Sequence, residues 1–206
     1  MKNSTYLILL ASFLVYCNID NEKDLDKFLQ KIPDAIIEKT DSGDTLRLNY
    51  KILIRQKLDH FGTDTTTFPQ KIYLSHIDPS KPVVIVTEGY SANRNYVSEP
   101  ANLLKANQII VEHRYFGESI PGSLDWTKLN IRQAAEDHHV ITELFKKIYK
   151  GKWISTGISK GGQTTLYYKY FYPDDVDVSI PYVAPINFSR EEPRVFDFLK
   201  NVGSDS

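Results

Sequence analysis

Gly157-Ile158-Ser159-Lys160-Gly161 has the Gly-x-Ser-x-Gly form in which a serine hydroxyl can act as a nucleophile. Such a serine sits at a sharp strand-to-helix turn in a strained backbone conformation, and glycines must flank it to avoid steric clash. Gly157 and Gly161 meet that demand, and Gly162 adds a further residue without a side chain where the helix must pack. The chemistry is acyl transfer. Attack on a carbonyl produces a tetrahedral oxyanion, and the backbone N–H of Lys160, at the positive end of the following helix, is placed to donate to it. The second donor is expected from Gly89 and Tyr90 in the loop after the apolar run at Val83. Loss of one such donor costs about a hundred- to a thousandfold in rate.

Other reactive residue types read differently. Glu112-His113-Arg114-Tyr115-Phe116-Gly117-Glu118-Ser119 gives an acid-x-Arg-x-x-Gly-x-Ser pattern. The structural reading is favoured for Glu112 and Arg114, since buried charges are usually paired. Lys160 adjoins Ser159 in a tight turn where neighbouring side chains diverge, so a Ser-Lys dyad is rejected. His138 lies on the apolar stripe of its helix beside His139, and both read as packed, hydrogen-bonded imidazoles. Asp174, Asp175 and Asp177 lack the ligand spacing and glycine of a calcium loop, and read as a solvated connection. No metal or cofactor is expected.

The elements that position the serine follow from apolar periodicity. Val83 to Val86 and Ile109 to Val111 are continuous apolar runs, as in strands buried on both faces of a parallel sheet. Leu46 to Ile54 and Phe68 to Leu74 alternate and read as a hairpin around the turn-rich Gly62 to Thr67. Ile131, Ala134, Ala135, Ile141, Leu144, Phe145 and Ile148 form one helical stripe, with Asn130 as N-cap and Gln133 as its capping-box partner. Trp153 to Thr156 reads as a strand, Gln163 to Tyr172 as a helix, and Val178 to Val183 as a strand. This alternation predicts an α/β fold with a mostly parallel sheet and flanking helices. Leu25, Phe28, Leu29 and Ile32 predict a short amphipathic helix, stopped by Pro33 and peripheral to the fold.

The 206 residues suffice for one globular domain, and 25 basic against 26 acidic residues, with no block of either sign, give no reason to expect nucleic acid. Residues 1–17 read as an export signal: Lys2, an apolar run from Tyr6 to Tyr16 too short to span a bilayer, then polar residues. Cys17, the only cysteine, follows directly, with Leu14 three positions before it. This resembles a bacterial lipobox and implies membrane attachment through a lipidated Cys17. Tyr16 is bulkier than the residue usual there, so an ordinary secretory signal is the alternative. The expected locations are periplasmic, cell-surface or secreted.

Thr87-Glu88-Gly89-Tyr90-Ser91-Ala92, Val111 to Phe116, Gln133 to His138 and Trp153 to Thr164 resemble the bacterial prolyl tri/tetrapeptidyl aminopeptidases, as do Gln56 to His60 and Tyr172 to Asp177. The likeness runs from about Leu25 onward. It implies an α/β-hydrolase fold and an exported serine exopeptidase acting on free peptide N-termini, with proline favoured on the acyl side and Ser159 as nucleophile. Glu88 is then a candidate for neutralising the substrate's ammonium, with an ion pair to Arg94 or Arg114 as the alternative. A lipase or esterase, or a non-catalytic binding protein of the same fold, would share the turn. Residues 18–45 form an N-terminal helix and linker, residues 46–190 the first part of the hydrolase domain, and residues 191–206 the start of a helical cap.

In this fold the acid and then the histidine follow the serine along the chain. No histidine follows Ser159, and Asp197 lies in an apparent helix unsuited to a triad acid. The expectation is a C-terminally truncated chain that is inactive by itself.

Overall fold

The structure, a computed structural model, describes residues 22–41 and 46–203, so the export signal and Cys17 lie outside the described residues. Seven strands form one sheet: β1 (Ile36–Thr40), β2 (Leu48–Lys57), β3 (Thr67–His76), β4 (Val83–Thr87), β5 (Asn107–Val111), β6 (Trp153–Ile158) and β7 (Val178–Tyr182), in the order β1-β2-β3-β5-β4-β6-β7. β2 and β3 pair antiparallel from Leu48 opposite His76 to Lys57 opposite Thr67, the hairpin read from their alternation. β3 joins β5 antiparallel, and the pairings β5–β4, β4–β6 and β6–β7 are parallel. Pro181 stands within β7, opposite Gly157.

The continuous apolar runs are buried on both faces of the sheet, as expected. Val83 and Ile85 join one core with Ile52, Ile72 and Ile109, beneath Ile141, Phe145 and Tyr149 and beneath Tyr168. Val84 and Val86 join a second, smaller core with Ala92, Ala101, Ile110 and Ile154. Full burial of a Val or Ile side chain contributes about 1.5–3 kcal/mol, so these alternating residues favour an interior place for β4, between β5 and β6.

The N-terminal helix is not peripheral. Residues 22–29 are helical, and Leu25 and Leu29 are fully buried in the larger core with Ile32. An apolar stripe so complete needs a partner surface, and the antiparallel end of the sheet supplies it. The segment after this helix is also more than a linker, because β1 pairs antiparallel with β2. β1 escaped notice because Ile36 is exposed and the strand has no clean inward row.

The helices are α1 (22–29), α2 (Glu99–Leu103), α3 (Ile131–Phe145), α4 (Lys160–Phe171) and α5 (Pro193–Asn201). Asn130 caps α3 by accepting from the Gln133 N–H at 3.0 Å. The reciprocal half of the capping box is not made. Gln133 instead accepts from the His60 N–H at 2.9 Å and donates to Asp59 at 2.6 Å, tying α3 to the β2–β3 loop. α5, the segment expected to begin a cap, buries no residue. No helix among the described residues is long and apolar enough to cross a membrane.

Candidate active site

β6 ends at Ile158 and α4 begins at Lys160, so a single residue turns the chain. That residue, Ser159, has φ 57° and ψ −120°, a region L-residues rarely occupy. Such conformations persist only where surrounding contacts over-determine them, and cluster at functional sites. Here the Ser159 N–H donates to the Tyr182 carbonyl at 3.0 Å, and the Ser159 carbonyl accepts from Gln163 at 3.0 Å as the first bond of α4. The hydroxyl makes no capping bond and is exposed.

The turn is compact because backbone touches backbone. A Cβ on Gly157 would collide with the Gly161 carbonyl, and one on Gly161 would fall near the Thr87 carbonyl. The Thr87 hydroxyl lies within hydrogen-bonding reach of the Gly161 carbonyl and of Thr165, which locks the end of β4 onto α4. Gly89 presses against the turn itself, since a Cβ there would lie 2.6 Å from Lys160 Cβ and 2.7 Å from Gly161 N. The chain thus brings together Ser159, Lys160, Gly89 and Tyr90, all four named from sequence.

The Lys160 ammonium lies 4.5 Å from the Tyr90 ring centroid and 4.6 Å from that of Phe116, and burial lowers its pKa from the ordinary lysine value. Phe116 carried no signal of this role in the sequence. Glu88 has neither of the expected arginine partners. It accepts from the Tyr96 hydroxyl at 3.1 Å, and burial raises its pKa, helped by the nearby Glu112 charge and opposed by the Tyr96 bond. Arg94 lies over the Tyr96 ring instead.

Arg114 is fully committed elsewhere. Nε and Nη2 form a bidentate pair with Asp137 at 2.7 and 2.8 Å, and the other donors reach the carbonyls of Lys57, Leu58 and Lys128. Burial, the largest influence on Asp137, favours its neutral form; the Arg114 and His60 hydrogen bonds outweigh it and hold the pKa below the usual value. Glu112 accepts from the N–H groups of Ala92, Glu118 and Ser119 and from the Ser119 hydroxyl, and pairs with Lys71 at 2.9 Å. Both residues tie the loop together, as the pairing argument predicts.

The five histidines all precede Ser159. His60 meets Asp137 at 2.7 Å, His76 meets Tyr149, His113 meets the Arg114 carbonyl, and His139 meets Asp175 at 2.8 Å. His138 is packed but not hydrogen-bonded: both ring nitrogens are buried without a partner, against the edge-on Tyr168 ring. Asp175 is likewise not solvated. It is buried, also accepts from the Tyr168 hydroxyl at 2.9 Å, and so pins the α4–β7 connection to α3. Asp177 holds the Trp153 N–H. Among the described residues no group of His, Cys, Asp or Glu could hold a metal ion.

The comparisons agree with this geometry. A model of the PS-10 peptidase S37 family matches residues 21–206. The prolyl tri/tetrapeptidyl aminopeptidase of Streptomyces mobaraensis is 40% identical over 189 residues, covering 88% of this chain and 38% of that protein. The lysosomal Pro-X carboxypeptidase of Homo sapiens is 30% identical over 160 residues, covering 67% of this chain and 32% of that protein. The chain therefore spans about a third of the length of these relatives. In fold it is similar to acetyl xylan esterase 1 of a Thermoanaerobacterium species, with a TM-score of 0.55 at 12% identity over 89% of this chain and 67% of that one. With an α/β-hydrolase sheet, a strained serine at its strand-to-helix turn and a family match over nearly its whole length, this chain belongs to the PS-10 peptidase S37 family.

Proposed function

We propose that this chain carries the nucleophile and oxyanion donors of a serine exopeptidase that releases short peptides from free N-termini, with proline favoured on the acyl side of the cleaved bond. The observation carrying the reading is Ser159 at positive φ, its hydroxyl uncommitted, with Gly89 in van der Waals contact with Lys160. Ser159 Oγ attacks the scissile carbonyl carbon, and the N–H groups of Lys160, Gly89 and Tyr90 receive the oxyanion. Collapse of that intermediate expels the amine and leaves an acyl-serine for water to hydrolyse. The proton leaving Ser159 needs a base, and among the described residues no histidine is hydrogen-bonded to the hydroxyl. Residues 1–206 by themselves therefore turn over slowly, on the oxyanion donors alone.

Glu88 is assigned to the substrate's terminal ammonium. It has no cationic partner among the described residues, and its half-buried carboxylate gains stability in its charged form when an ammonium arrives. Residues 1–17 direct export, with Cys17 as the lipidated residue; palmitate incorporation that survives C17S removes that assignment.

The test uses the longest product of this gene. It should hydrolyse an Ala-Ala-Pro-arylamide and take up a fluorophosphonate, and S159A should abolish both. Hydrolysis that persists in S159A overturns the nucleophile assignment. E88Q should erase the preference for free over N-acetylated peptides, and an unchanged preference removes the ammonium role.

A further inference from the structure

Lys160 places a positive charge in a half-buried site with no anion. Among the described residues no carboxylate or hydrogen-bond acceptor meets its ammonium, which is enclosed only by the faces of Tyr90 and Phe116. An ammonium withdrawn from water is costly unless something compensates, and here the ring quadrupoles are what remain. Those rings belong to two different loops. Tyr90 follows Gly89 in the loop after β4, and Phe116 lies in the loop after β5. They meet edge-to-face at 5.3 Å, and His113 stands edge-on to Phe116 at 5.7 Å. The backbone repeats the link, because the Tyr90 carbonyl accepts from the His113 N–H at 3.1 Å.

We infer that Lys160 is a positioning residue: its side chain clamps the Tyr90 loop against the turn and so holds the Gly89 and Tyr90 N–H groups aimed at the oxyanion. The inference rests on the proposed role of Ser159. Its geometric basis is that one residue makes both contacts. Lys160 offers its own N–H at the start of α4 and touches Gly89 through Cβ, while its ammonium fixes the ring of the next residue. Tyr90 is 56% exposed, and besides Lys160 it is held by the Phe116 ring and the His113 N–H. An arginine could stack in the same slot, whereas a neutral chain of the same length could fill it without attracting the rings.

The experiment compares K160M, K160R and the parent in the longest product of this gene. In K160M the fluorophosphonate labelling rate should fall about tenfold, a fold-change in keeping with a partly desolvated cation–π pair. Peptide kcat should fall with it while KM stays, and K160R should restore both. Y90L should lose as much as K160M, and the double variant no more than either. Amide exchange at Gly89 and Tyr90 should quicken in K160M while Ile141 in α3 is unchanged. Labelling at the parent rate with Gly89 and Tyr90 protection intact overturns the inference. Should K160M fail to fold, K160Q takes its place with the same expected losses. The exchange readout does not involve Ser159, so persistent labelling in S159A removes the nucleophile assignment without touching the clamp.

Discussion

The turn at Ser159 and the loop after β5 flank the C-terminal end of β4 from opposite sides, and they treat polar groups in opposite ways. In the loop after β5, Glu112 and Arg114 are buried together with their respective partners, Lys71 of β3 and Asp137 of α3, and each is hydrogen-bonded or ion-paired. Around the turn, the Ser159 hydroxyl caps nothing, Glu88 has only a phenol, and the Lys160 ammonium has only aromatic faces. A charged group with every bond filled is scaffolding, because any reaction must first break those bonds. Unfilled bonding capacity at a strained turn marks the place where a substrate can supply what is missing. The contrast matches the sequence reading, in which the turn carries the reactive group and the charges of the loop after β5 are paired.

The contrast can be broken most forcefully on the buried side. Asp137→Asn removes the countercharge of Arg114 and should cost about 3–5 kcal/mol in chemical denaturation. A loss below 1 kcal/mol would mean that the network is not the scaffold described. On the other side, Gly89→Ala places a Cβ 2.6 Å from Lys160 Cβ. It should slow fluorophosphonate labelling by about a hundred- to a thousandfold, and because the backbone of the turn must shift to admit the Cβ it should also lower stability, by less than Asp137→Asn does. Equal losses in both measurements would erase the distinction between the two regions.

The smallest effect concerns His138, which belongs to neither class. Burial pushes its pKa down to about 3, and Asp137, His113 and Arg114 are the charged or titratable neighbours it senses. In the unfolded chain a histidine titrates near 6.5. As pH falls the unfolded state takes the proton first, so this contribution to stability is complete above about pH 6.5 and is lost progressively toward pH 3. His76 and His113, pushed down by burial to about 4, act in the same direction. His138→Leu should leave stability at pH 7 within about 1 kcal/mol, since no hydrogen bond is lost. It should also flatten the acid limb of the stability curve, and an unchanged limb would show that His138 is not a source of it.

Legibility followed the range of the interaction. The turn, the buried strands and the Asn130 cap depend on residues within a few positions of one another, and all stand where the spacing puts them. Tyr96 beneath Glu88 and the cage of Tyr90 and Phe116 could not be read, because nothing in a tyrosine or phenylalanine says which charge it will face. Asp137 lies 23 positions from Arg114, and only the fold joins them. Gln133 shows the reverse case: a local pattern offered it a capping role, and the tertiary contacts with Asp59 and His60 prevailed. α2 was within reach, since Ser98 caps it and Pro100 lies in its first turn, but its five residues carry too little apolar periodicity to stand out.

Pro181 gives the outer side of β7 a particular character. Within a strand the N–H and C=O of one residue point the same way and those of its neighbour the other way. The Tyr182 carbonyl faces inward to the Ser159 N–H, so Pro181 faces outward, where among the described residues no strand lies. An approaching backbone finds a donor missing at that position. The flank is therefore keyed: a strand that joins there must match the gap at Pro181, and indiscriminate stacking of one copy on another is disfavoured.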